Sequence, residues 1–437
     1  MSVGAAQGKP APRRRWARIA GAIAVLLLLL AVALRIALQP EHVTGLVLDQ
    51  LGNALGLEIT ANGPGEYRLV GSPVLVVRDV VAREPGAKTP ILRAERVLLS
   101  LPWSTIRTRG AELTITRVEL DAPVLDVPAL QHWLATRPPS ETRIPTLSDG
   151  LYVTRGRIDN GDWHIDGIAA TLPDLHPGQP VNAQVRGRYL DPPTSIPFDL
   201  SVALSKPANG AGAAIVGPIT LDRGTWRMPA RINLSGPVLL GDDDLRVQPA
   251  RLKMSARYQS GDTDLPFALG LSGPLHFDNA TWTLAPVGVA LRGQDMLPGF
   301  DARGALALGR RLVVRLDGRL PNWPDTWPNL PVPVGQSTSA LPFALDYVGK
   351  PDLSDIAGLR LQRDQTRFDG RFRLYDMLAW IDAPATASPL PPLSGHFTSP
   401  RLEISGAQLE GVEVTLEDHA LENPALQDPA LTEDVVR

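Results

Sequence analysis

The chain has no cysteine. No thiol is therefore available as nucleophile or metal ligand, and an exported domain would have to hold together without disulfides. Aromatic residues are scarce, at 5%, which argues against carbohydrate-binding and base-stacking surfaces. Neither sign of charge dominates. With 43 basic against 46 acidic residues, no basic excess points to nucleic acid and no acidic run points to a chelating tail. Signatures of catalysis are missing too: there is no Gly-x-Ser-x-Gly elbow, P-loop, dinucleotide fingerprint or His-Glu-x-x-His. The histidines (His42, His132, His164, His176, His276, His396 and His419) show no metal-ligand spacing. Asp242-Asp243-Asp244 reads as a solvated turn rather than a calcium loop. The expectation is a protein that is not an enzyme and that carries no cofactor, no metal and no nucleic acid.

What is present begins with one apolar stretch. Arg13, Arg14, Arg15 and Arg18 precede an uncharged run from Ile19 to Leu34. Arg35 interrupts it, Ile36 to Leu38 extend it, and Pro40 ends it. A spanning helix needs roughly 17–25 apolar residues, and residues 19–38 reach that length if Arg35 snorkels to the far headgroups. The basic cluster keeps residues 1–18 in the cytoplasm, so everything after Pro40 is exported. Arg18, Ile19, Leu34 and Arg35 mark the ends of this anchor. A cleavable signal peptide is the competing reading, since Ala31-Val32-Ala33 has the small-x-small form of a cleavage site. The apolar run is longer than such a peptide needs and continues past that site.

Pro40 to Gly56 follows as an amphipathic helix, with Val43, Val47, Leu51, Ala54 and Leu55 on one stripe. Strands are expected at Leu57–Ala61, Val74–Arg83 and Ile91–Leu101. A helical turn at Pro102–Ile106 leads into a long strand, Ala111–Val127, bulged near Arg117 where its apolar phase switches. A short helix spans Pro128–Thr136, and the Pro138-Pro139 stretch marks a boundary.

Three phrases in this part carry a resemblance: Ala54-Leu55-Gly56-Leu57-Glu58-Ile59, Arg93-Ala94-Glu95-Arg96-Val97-Leu98-Leu99-Ser100-Leu101, and Val118-Glu119-Leu120-Asp121-Ala122-Pro123-Val124-Leu125. Placed after a basic stub and one membrane helix, they resemble the N-terminal region of the AsmA family of inner-membrane-anchored envelope proteins of Gram-negative bacteria. The match covers about residues 10 to 135. It implies a β-taco, a long sheet folded lengthwise into a groove lined by apolar side chains. It also implies a role in moving or sheltering lipids between the membranes.

From residue 150 onward the chain alternates apolar and polar residues. Val181, Ala183, Val185 and Tyr189 do so, as do Leu252, Met254 and Tyr258, then Leu312, Val314, Leu316 and Leu320, then Phe368, Phe372 and Leu374. Each such strand has one apolar and one wet face. Glycine (39) and proline (42) fall singly between these segments, punctuating many short strands. Two phrases recur. Ile196-Pro197-Phe198 returns as Leu265-Pro266-Phe267 and Leu341-Pro342-Phe343, and Leu234-Ser235-Gly236-Pro237 returns as Leu271-Ser272-Gly273-Pro274. Trp163, Trp226 and Trp282 sit in similar positions after turns.

Almost no helical periodicity is left to cover the apolar faces, apart from a turn or two at Tyr375–Ile381. The sheet must pack on itself as a sandwich or line a groove filled by something apolar. Pattern alone favours the sandwich; the resemblance favours the groove. Gly187, Gly318 and Gly370, on the apolar phase, would ease curvature and leave room beside an acyl chain, or mark ordinary bends.

The expected fold is thus mainly β: an N-terminal transmembrane helix, short amphipathic helices, then an elongated curved antiparallel sheet of fifteen to twenty strands. Its parts are a stub (1–18), an anchor (19–38), an AsmA-like region (39–140), a β-groove domain (141–417) and a disordered tail (418–437). The candidate groove lining is Ala183, Val185, Leu252, Met254, Leu312, Val314, Leu316, Phe368 and Phe372. The expected partners are a phospholipid or other acyl lipid, the inner membrane, and an envelope protein or a second copy. The alternative function is an assembly factor for outer-membrane or secretion components. A reporter fused after Arg437 is expected to be active only on the periplasmic side; a soluble form beginning near Leu34 would show cleavage instead.

Overall fold

The computed structural model describes residues 56–421, apart from 63–64, 69–71, 108–113, 137–144, 242–243, 279, 295, 328–329, 331, 333, 382–390 and 405–406, together with Leu48 and Gly52. The stub, the anchor with Arg18, Ile19, Leu34 and Arg35, most of the helix expected at Pro40–Gly56, the Pro138-Pro139 boundary and the tail beyond residue 421 lie outside the described residues. Among the described residues no helix is long and apolar enough to cross a membrane. The chain forms two compact units, Met1–Gly161 and Asp162–Arg437.

In the first unit the Leu57 amide donates to the Gly52 carbonyl at 2.8 Å, with Gly56 at φ +66°. This is the left-handed glycine stop expected of a helix ending at Gly56. Strands β1 (Glu58–Thr60) and β2 (Glu66–Arg68) pair antiparallel with opposite ends of β3 (Val74–Arg83), which pairs with β4 (Leu92–Ser100). A short helix α1 (Trp103–Arg107) follows.

The expected long strand Ala111–Val127 is instead three pieces: β5 (Thr114–Ile115), β6 (Arg117–Asp121) and β7 (Val124–Asp126). Ala122 takes φ +46° and Pro123 has no N–H to give the ladder, so β6 cannot run into β7. The unit is also not purely antiparallel. β5 pairs parallel with β8 (Thr146–Leu147), while β6 and β7 join β4 on one side and β9 (Leu151–Asp159), in parallel, on the other. Helix α2 (Val127–Thr136) is capped by Asp126, whose Oδ1 accepts the Ala129 amide at 2.8 Å. Arg155 bridges Glu95 and Asp121 across these strands at 2.6 and 2.8 Å. Its guanidinium, helped by the Thr154 hydroxyl, holds the Asp121 carboxyl down at about 2.

The second unit is a meander. Its strands are β10 (His164–Leu172), β11 (Val181–Asp191), β12 (Thr194–Leu204), β13 (Ala211–Asp222), β14 (Arg227–Leu240), β15 (Leu245–Ser260), β16 (Thr263–Asp278), β17 (Thr281–Gly293), β18 (Phe300–Leu308), β19 (Leu312–Leu320), β20 (Leu341–Gly349), β21 (Ile356–Arg363) and β22 (Thr366–Arg373). Helix α3 (Leu374–Ile381) then leads to β23 (Leu393–Ile404) and β24 (Ala407–Leu416). Each of these fifteen strands pairs antiparallel with the next, as the alternation predicts.

Both sequence repeats have a pairing explanation. Opposite each Leu/Ile-Pro-Phe phrase stands a small residue, an arginine and a large apolar one. Gly187-Arg188-Tyr189 faces Phe198-Pro197-Ile196, Ala256-Arg257-Tyr258 faces Phe267-Pro266-Leu265, and Gly318-Arg319-Leu320 faces Phe343-Pro342-Leu341. The phenyl ring lies over the small residue: a Cβ on Gly318 would stand 2.5 Å from the Phe343 ring, and one on Gly187 would stand 3.0 Å from the Phe198 ring. Gly370 is covered likewise by the ring of Phe368. The space beside these glycines is therefore filled by phenylalanine, not left open for an acyl chain. The motif recurs every fourth strand, on β11–β12, β15–β16 and β19–β20. Two of the tryptophans follow the same period: Trp163 packs on Tyr189 and Trp226 on Tyr258, with ring centroids 5.5 and 5.6 Å apart. Trp282 does not, since it stands at the other edge of the sheet against Phe277.

The Ser-Gly-Pro phrases mark a line of bulges. Register shifts occur at Gly236-Pro237 on β14, Gln248-Pro249 on β15, Gly273-Pro274 on β16 and Ala285-Pro286 on β17. Proline leaves the ladder because it lacks a donor, and the glycine lets the neighbouring backbone come close. A Cβ on Gly236 would lie 2.5 Å from the Pro249 carbonyl oxygen. Gly236→Ala is accordingly expected to cost about 1–3 kcal/mol and to lower the thermal midpoint by several degrees. Gly212→Ala, where the nearest atom is Ser205 Oγ at 3.6 Å, should leave the melt unchanged.

Candidate functional site

Antiparallel register turns the alternation of single strands into continuous apolar rows across the sheet. One row takes a residue from each strand between β11 and β24: Ala183, Val202, Ile215, Leu234, Leu252, Leu271, Val289, Ala302, Gly318, Phe343, Leu361, Phe368, Phe397 and Val414. A second runs from Ala211 through Val238, Val247, Leu275, Leu284, Leu306, Val314, Tyr347, Ala357 and Phe372 to Leu393. The bulge line keeps this second row in phase, because each extra residue restores the apolar face after a proline. Val185 lies opposite Leu200, and Met254 lies between Ile232 and Leu269 on the same face. All nine candidate lining residues share that face.

They do not share the same cover. From β11 to β16 the first row is half-exposed throughout. Ala183, Val185, Leu252, Met254, Leu312, Val314 and Phe368 are also half-exposed, whereas Leu316 and Phe372 are buried. Leu316 belongs to a packed cluster with Leu284, Val287, Val289, Ala302, Leu320, Leu341 and Phe343; Phe372 belongs to another with Tyr347, Ala357 and Leu393. Across the described residues only Val287 is less than 2% exposed. A packed sandwich would enclose many large side chains that completely. Packed clusters thus form along β17–β22, while the first row from β11 to β16 is partly buried beside buried residues of the second row, Ala211 and Val247.

The closure has a visible fastening. Arg223, in the β13–β14 turn, pairs with Asp352, in the β20–β21 turn, at 3.7 Å. In a meander these two turns belong to opposite edges of the sheet, seven strands apart, so the sheet must curl for them to meet. The Tyr375 hydroxyl of α3 donates to the Asp352 carbonyl at 2.8 Å. Burial raises the pKa of the Tyr375 phenol, and Tyr258, from the β15–β16 edge, stands near enough to add to the effect. The Asp352 carboxyl sits below the usual carboxylate range. Its hydrogen bonds from Ser354 are the main cause, and the Arg223 charge adds to them. Because the folded value is depressed, this stabilisation is present above the ordinary carboxylate pKa and is lost as pH falls through the lowered one.

Among the described residues no group of three or more His, Asp or Glu side chains could hold a metal. Asp244, the described member of the acidic triplet, pairs with Arg246 in a turn. The row continuity was implicit in the alternation, but the fastening was not, since nothing in a lone Arg-Gly-Thr-Trp turn points to Asp352. Because the chain has no cysteine, Arg223→Cys with Asp352→Cys gives a clean probe. A short bis-maleimide is expected to cross-link that pair quickly and an Arg223→Cys/Asp325→Cys pair not at all, read as a mobility shift on a denaturing gel. Comparison of the chain with protein-family models, with curated proteins and with solved structures finds no match.

Proposed function

We propose that the second unit shelters the acyl chains of a phospholipid or similar lipid along its half-open apolar face. In this reading the chain is an AsmA-like protein, anchored in the inner membrane by residues 19–38 and working in the periplasm to maintain the outer envelope. The observation that carries the reading is the uninterrupted apolar row from β11 to β24, half-exposed over its first six strands. At a strand spacing of about 4.8 Å such a row runs ~62 Å along the sheet. One leaflet of a bilayer is only about 15 Å of hydrocarbon, so several tails fit in succession. Each methylene kept out of water is worth about 0.8 kcal/mol. A face of this kind removes most of the cost of a tail leaving its bilayer, and no covalent chemistry is needed.

A second reading, an assembly factor for envelope components, is favoured by β24. Among the described residues β24 pairs only with β23. No described strand pairs with its other edge, which offers a place to add one, and Leu409 and Val414 of β24 are exposed.

Ile215→Glu with Leu234→Glu separates the possibilities, because both positions are half-exposed and in direct cross-strand register. The carboxylates can stay hydrated on an open face, so the cooperative melt is expected to persist while co-purifying phospholipid, read by native mass spectrometry, falls severalfold. Loss of the melt would mean that the face is packed. Undiminished lipid would mean that tails lie elsewhere.

A further inference from the structure

The β19–β20 connection lines a half-open cavity of about 920 Å³ at the edge of the sheet that also carries the β13–β14 turn. Its walls are braced. Trp327 Nε1 donates to the Met296 carbonyl at 2.9 Å, tying the connection to the β17–β18 turn. Arg363 donates through both terminal nitrogens to the Ser337 and Ser339 carbonyls, tying it to β21. The Glu403 amide donates to the Val332 carbonyl at 3.1 Å, tying it to β23. At Gly335 a Cβ would fall 2.5 Å from the Leu330 carbonyl oxygen, so the turn there closes only around a glycine.

Two sides of the cavity differ in chemistry. Leu320 and Leu341 form its floor and belong to the packed apolar cluster of the inner face, against which Trp323 and Leu330 also pack. The cavity thus borders the packed cluster, and Gly293 of β17 in its lining lies one strand from the partly exposed stretch that ends at β16. Its other walls are amides and hydroxyls, chiefly Gln294, Asn322, Thr326, Gln336 and Ser337, with one carboxylate, Asp325. Arg363 is the only cation in the lining, and its terminal nitrogens already serve backbone carbonyls. A phosphate would meet a carboxylate and no uncommitted cation. A neutral group rich in hydroxyls would find both donors and acceptors, beside two of the chain's nine tryptophans.

Building on the lipid-sheltering reading, we propose that this cavity seats the uncharged, polyhydroxylated head of a glycolipid whose tails lie on the apolar face. The test uses the full chain in amphipol, incubated separately with dioleoylglycerol, its monoglucosyl derivative and dioleoyl phosphatidylglycerol. Retained lipid is counted by mass spectrometry after gel filtration. Wild-type chain is expected to retain the glucosyl lipid at least fivefold over the other two. Asn322→Ala with Gln336→Ala should reduce it to the dioleoylglycerol level while dioleoylglycerol itself is held as before. Equal retention of all three by the wild type, preference for phosphatidylglycerol, or a variant that keeps the glucosyl preference would each overturn the head site and leave the apolar face standing. Retention of none would overturn both. Methyl glucoside without tails should be retained no better than dioleoylglycerol; retention equal to that of the glucosyl lipid would identify a free-sugar site independent of tails, and overturn the glycolipid assignment.

Discussion

The second unit depends on one constraint: its strands are apolar on one side only, and the described chain contains almost nothing to lay over that side. One eight-residue helix, α3, cannot cover fifteen strands. Burial has to come from the sheet itself, through curling. From β17 to β22 side chains pack into true clusters. From β11 to β16 the first row stays partly in contact with solvent, although Ala211 and Val247 of the second row are buried. Stability in the open stretch rests on strand pairing and on contacts between neighbouring side chains, Phe over Gly and Trp against Tyr, rather than on a central core.

Curling needs bends, and these are built from backbone chemistry. The aligned Gly-Pro and x-Pro bulges on β14 to β17 interrupt four consecutive ladders at adjacent places, producing a crease in the longest strands of the sheet. Glycine allows the close approach and proline enforces the break. The Arg223–Asp352 contact is where the consequence of that curl is seen, because turns from opposite edges are brought within ion-pair distance. A half-exposed pair of this kind is itself worth little, on the order of 1 kcal/mol or less. It reports the geometry more than it creates it.

Much of this was legible in the sequence, because period-2 alternation is a local signal. Val74–Arg83 emerged with the bounds that its pattern indicates, and the nine lining candidates fell on one face because each was chosen by phase. Where the reading failed, a long-range partner decided. Thr114-Ile115 left the expected Ala111–Val127 strand to pair with Thr146-Leu147, and Leu316, indistinguishable from Val314 by alternation, was covered by neighbours on β17, β18 and β20. The repeats were visible as words, but their meaning was in the facing strand, where Gly-Arg-Leu, Gly-Arg-Tyr or Ala-Arg-Tyr answers Leu-Pro-Phe or Ile-Pro-Phe.

The four-strand period has a consequence for how such a molecule can change size. Each strand touches mainly the one before and the one after it, so a block of four could be duplicated or deleted without redesigning a shared interior. One block would add ~19 Å to the sheet at the usual strand spacing, and its own Phe-over-Gly clasp would arrive with it. Length in this architecture is then a quantity that gene duplication can tune in fixed increments, as links are added to a chain, while the sheet's cross-section stays the same.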